Sequence, residues 1–103
     1  MTKKIKKRPI LFWLKSNRGT NVKAVYNIPI DWNKEEIKDK LEHWCNNYGA
    51  WTHGDNYIQY GYRAVKIPKR RELLKQWDKL CDKRDRLHDR WLVMQEMFNV
   101  KEL

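Results

Sequence analysis

Between Lys69 and Phe98 the chain runs for thirty residues without a proline or a glycine, and nothing else in the sequence limits the fold as strongly. Pro68 stands just ahead, where its fixed φ suits an opening helical turn. Leu73, Trp77, Leu80, Arg84, Leu87, Trp91, Met94 and Phe98 recur at alternating spacings of four and three, a heptad seam interrupted by one charge, Arg84. The pattern predicts one continuous helix over this stretch. At 1.5 Å per residue it would be about 44 Å long, whereas a 100-residue domain has a radius of gyration of about 13 Å. Its far half carries Leu87, Trp91, Met94, Met97 and Phe98, which need cover. Either the helix bends back over the sheet, or a second copy packs on it as a homodimer, the commonest soluble assembly. Arg84, Leu87, Trp91, Met94 and Phe98 form the expected contact with a partner or a second copy. The intervening "DKRDRLHDR" reads as a solvated face, with pairs such as Asp82 and Arg86 each worth about 0.2–0.5 kcal/mol.

The remaining residues must supply whatever this helix packs against. "ILFWLK" and "VKAVYNI" are rich in β-branched and aromatic residues and flank the turn chemistry of "SNRGTN", which predicts a hairpin. Alternation sets Ile10, Phe12, Leu14, Val22, Ala24, Tyr26 and Ile28 on one face, with Leu11, Trp13, Lys15, Lys23, Val25 and Asn27 on the other. Asn33 and Glu36 then form a capping-box pair, and Trp32 is placed to staple onto Ile37. Ile37, Leu41, Trp44 and Tyr48 give the following helix one apolar stripe, and Gly49 is placed to end it. "GAWTHGDNYIQYGY" reads as a second hairpin turning at "HGDN", its longer strand running from Tyr57 to Ile67. There Ile58, Tyr60, Tyr62 and Ala64 share the core face. Tyr57, Gln59, Gly61, Arg63 and Val65 face the other way, and Gly61 marks a bulge or a close approach.

The predicted order is therefore ββαββα, an α+β fold with a small antiparallel sheet of two hairpins. Residues 1–8, "MTKKIKKR", read as a basic arm and residues 9–103 as one domain. A sheet covered on one face leaves the other to water or a ligand.

Charge singles out that second face. The formal net charge is +10, but residues 1–30 carry +8, 31–55 carry −3, 56–70 carry +4 and 71–103 only +1. A basic field segregated in this way attracts a polyanion or an acidic partner better than scattered charge does. The free face would present Trp13, Lys15, Lys23, Gln59 and Arg63, with Tyr57 beside them and Arg18 and the arm at the margin. Lysine and arginine neutralise phosphates, and exposed aromatic rings stack on bases. These seven residues are the candidate nucleic-acid contacts.

Catalysis finds no support. His43, Cys45, Cys81 and His88 have no usual zinc-ligand spacing, and no cofactor is implied. No phosphate-loop, nucleophile-elbow or dinucleotide fingerprint occurs. "EIK" at 36–38 has the form of a nuclease E-x-K triplet but falls on a helix. The two cysteines read as buried free thiols. With no apolar run of about 18 residues and no convincing leader, the chain reads as soluble, intracellular and cytoplasmic, with no membrane contact. Two classes remain. One is a non-enzymatic nucleic-acid-binding module. In size and its Trp- and Lys-rich composition the chain is also similar in style to small phage accessory or anti-defence proteins. That resemblance implies binding to a host protein or ribonucleoprotein complex.

Overall fold

In a computed structural model, described over residues 6–16, 19–48, 58–83 and 87–102, the chain is an α+β protein. Its described elements follow as β1 (Lys7–Lys15), β2 (Asn21–Pro29), α1 (Lys34–Cys45), β3 (Gln59–Ala64), α2 (Arg70–Cys81), α3 (His88–Phe98) and β4 (Lys101–Glu102). The sheet order is β3-β1-β2-β4. The first three strands are antiparallel, and β4 joins β2 in parallel.

The first hairpin forms with the expected alternation. Ile10 faces Tyr26, Phe12 faces Ala24 and Leu14 faces Val22, so their side chains share one side of the sheet. That side meets Ile37, Leu41, Trp44 and Cys45 of α1 in the main core, with Trp32, Tyr48, Ile58, Tyr60 and Tyr62 packed around it. The entry to α1 is fixed locally, because Glu36 N donates to Asn33 Oδ1 at 2.8 Å and Asn33 N to Glu36 Oε1 at 3.3 Å. Two otherwise orphaned donors are thereby satisfied.

Five sequence expectations change. The thirty-residue helix is two helices. Trp77 and Trp91, which would lie about 21 Å apart on a straight helix, stack with ring centroids 5.6 Å apart, and Phe98 meets Trp77 edge-on at 5.5 Å. The seam thus closes on itself within one chain. Of the residues expected there, Leu87, Trp91, Met94 and Phe98 are half-buried, and Arg84 lies outside the described residues. Burying such side chains is worth up to about 1.5–3 kcal/mol each, a gain that opposes the cost of interrupting the helix.

Of the second hairpin, the first strand and turn, with Gly49, fall at residues 49–57, outside the described residues; its second strand is the shorter β3, Gln59–Ala64, which pairs with β1. Ala64, expected on the core face, is exposed at the end of β3. The arm is shorter than expected, since Lys7 and Arg8 already belong to β1 opposite Pro29 and Ile28. Finally, Cys45 is buried as expected but Cys81 is exposed, and both are free. Burial, helped by the Glu42 carboxylate, pushes the Cys45 thiol up to about 11, so it stays protonated and unreactive.

Among the described residues the order is therefore β1β2α1β3α2α3β4 in place of ββαββα, and the sheet is mixed. No helix among the described residues is long and apolar enough to cross a membrane.

Candidate functional site

Strand register builds the second face of the sheet as a grid. Gln59, Lys15 and Asn21 form one row, Gly61, Trp13 and Lys23 the next, and Arg63, Leu11 and Val25 the third. Leu11 and Val25 are fully buried there, so this face has an apolar floor of its own. It is not left open. Helix α3 packs across β2, and its half-buried residues Trp91 to Phe98 lie between the sheet and α2.

Between this face and the helices runs a cleft of about 530 Å³, within the roughly 300–1,000 Å³ range of small-molecule sites. Leu11 and Trp13 form its floor, while Val93, Met94 and Met97 of α3 form its roof. The indole of Trp13 lies directly over Gly61. A Cβ at that glycine would come within 2.8 Å of Trp13 Cζ2 and 3.0 Å of Cε2, which accounts for the absence of a side chain there. The close approach expected at Gly61 is by a cross-strand ring rather than by another backbone.

Four cations line the cleft, Lys15, Lys23, Arg63 and Arg90, against one carboxylate among the described lining residues, Asp89. Lys15 Nζ donates to Asp89 Oδ2 at 2.7 Å and Asn21 Nδ2 to Oδ1 at 2.8 Å, while Lys23 Nζ stands 3.9 Å from Oδ1. These hydrogen bonds from Lys15 and Asn21 hold the Asp89 carboxyl down to about 2. The Lys23 side chain is only 6% exposed. Its burial lowers the ammonium pKa; Asp89 opposes that shift, and repulsion from Lys15 and Arg63 adds to it. One acidic group thus serves a cluster of mutually repelling cations. An incoming anion would relieve that repulsion.

Of the sequence candidates, Trp13, Lys15, Lys23, Gln59 and Arg63 come together in this cleft; Arg18 and Tyr57 lie outside the described residues. Asn27, read on the same face, instead donates to Glu102 Oε1 at 2.7 Å and helps hold β4. Sequence reasoning had Met94 and Met97 in need of cover, with a bend back over the sheet as one of two ways to supply it, but it missed Asp89, Arg90 and Val93 as members of the roof. The signal for it was Leu11 and Val25, two large apolar residues on a face otherwise read as open. The chain matches no protein-family model, no curated protein and no solved structure, so the chemistry of the cleft alone carries the functional reading.

Proposed function

We propose that this protein is a non-enzymatic nucleic-acid-binding module and that the cleft between the sheet and α3 is its binding element. The observation carrying the reading is the grouping of Lys15, Lys23, Arg63 and Arg90 around a cleft floored by Trp13, with Asp89 as the one described counter-charge. Phosphates match the cations, and a base matches the apolar and aromatic walls. Lys23 is the strongest member of the set. A lysine this buried is retained at a cost in desolvation, and a phosphate oxygen is a better partner for it than a carboxylate 3.9 Å away.

The test is a titration of the purified chain with single-stranded RNA, single-stranded DNA and duplex DNA of unrelated sequences at two salt concentrations. Tight binding that weakens steeply with salt supports the reading. No binding to any of them at low salt refutes it, and leaves the protein-interaction reading in its place.

A further inference from the structure

A second hollow, of about 340 Å³, adjoins the first and shares three of its lining residues, Gln76, Arg90 and Met94. It lies between α2 and α3, with Leu80 and Leu87 at its base. Its cations are Lys79, Lys83 and Arg90, and no carboxylate is among its described lining residues. Arg90 therefore belongs to both hollows. Through the shared Arg90, the cations of the sheet cleft, Lys15, Lys23 and Arg63, are joined to Lys79 and Lys83 on and just beyond α2.

We infer that the two hollows form one track for a single strand of nucleic acid, with one unstacked base in the sheet cleft and the following backbone carried over Arg90 onto Lys79 and Lys83. The inference rests on the nucleic-acid reading and narrows it to a ligand class. Trp13 lies beneath the helix roof, where only a base already out of its stack can reach it; a base held in a duplex would first have to be flipped. The path also bends from the face of a sheet into the groove between two helices. A flexible strand can follow it, whereas a stiff duplex could touch only the rim. A free mononucleotide would fill the first hollow and leave the Lys79 and Lys83 end unused.

Fluorescence anisotropy tests the track. The probes are a mononucleotide, strands of about 4 and about 8 nucleotides, the longer strand as a duplex, and the longer strand with its bases removed. The full chain is compared with a Lys79→Ala/Lys83→Ala variant, whose changes are confined to two exposed side chains, and with Lys38→Ala on α1 as a control. Affinity should rise from the mononucleotide to the strands, and the single strand should bind at least about tenfold more tightly than its duplex or its abasic form. The double variant should lose about tenfold on the strands while keeping the parent affinity for the mononucleotide, and Lys38→Ala should match the parent. Equal binding of single strand, duplex and abasic strand would overturn the track while leaving the nucleic-acid reading intact. So would a double variant that holds the strands as tightly as the parent. Binding of no probe at all would overturn both.

Discussion

At Gly61 the space of a missing side chain is occupied by the ring of Trp13 from the neighbouring strand. Gly61→Ala would place a methyl 2.8 Å from that ring, so the indole must move off the cleft floor. The expected cost is about 1–3 kcal/mol in urea unfolding, as for other overpacked sites, together with weaker binding of single strands. Unchanged stability with unchanged binding would show that the ring has no fixed seat there. Asp89 gives a prediction in pH. Its carboxyl is held down to about 2 from an ordinary 3.8, so the stability it contributes is present above about pH 4 and is lost as pH falls toward 2. Because the side chain is 53% exposed, the effect is that of a solvent-screened pair, about 0.2–1 kcal/mol. Asp89→Asn should flatten the dependence of stability on pH across that window and, by freeing Lys15 and Lys23, raise affinity for anions at neutral pH. A variant whose stability follows pH just as the parent's does would show that Asp89 gains nothing from its contacts. At this scale the sequence was legible where partners are local, as with Asn33 and Glu36, three residues apart. It was not legible at Lys23, whose burial depends on a helix from the other end of the chain.

Among the elements, the two helices that replace one long helix show how burial outranks local propensity. Nothing between Asp82 and Leu87 is a strong helix breaker, and the backbone still makes helix-like bonds there, with Leu87 N donating to Lys83 O at 2.9 Å. Leu87 itself leaves the helical region at φ −122 and ψ 41. Such a departure leaves no mark in composition. The heptad seam was correctly periodic, but its two halves face each other in one chain, as Trp77 against Trp91 and Phe98 demonstrates. Trp91 sits between Trp77 and His88, and its Nε1 is buried without a hydrogen-bond partner among the described residues. Trp91→Ala should therefore lower stability by about 3 kcal/mol, the low end for a large aromatic because the residue is only half-buried. Trp91→Phe, which keeps a ring in the stack and removes the unpaired donor, should change it by less than about 1 kcal/mol. Equal losses from the two substitutions in thermal or urea unfolding would contradict the stacked arrangement. The parity of β1 and β2 was fully readable, since a buried face enforces alternation. The two-residue strand β4 was not, because its pairing depends on Asn27 and Lys7 reaching Glu102 rather than on any pattern in "VKEL".

For the molecule as a whole, Lys15 of β1, Lys23 of β2 and Arg63 of β3 converge because β1 lies between β2 and β3. Their convergence was predictable from register, whereas the roof over them was only one of two alternatives, since choosing it required knowing where the last helix would turn. The consequence is a cleft rather than a flat basic sheet, in which Lys15, Lys23 and Arg63 act on one ligand together. Salt dependence measures this most directly, because each phosphate neutralised on a single strand contributes about 0.7 to the slope of log affinity against log salt. The decisive comparison is between the parent and a Lys15→Ala/Lys23→Ala/Arg63→Ala variant, shown to be folded by circular dichroism, titrated with one single-stranded oligonucleotide over a range of salt. The account predicts weaker binding and a slope shallower by about 2. A folded variant that binds as tightly as the parent, with the same slope, would contradict it and would leave the cleft cations no role beyond fastening α3 to the sheet.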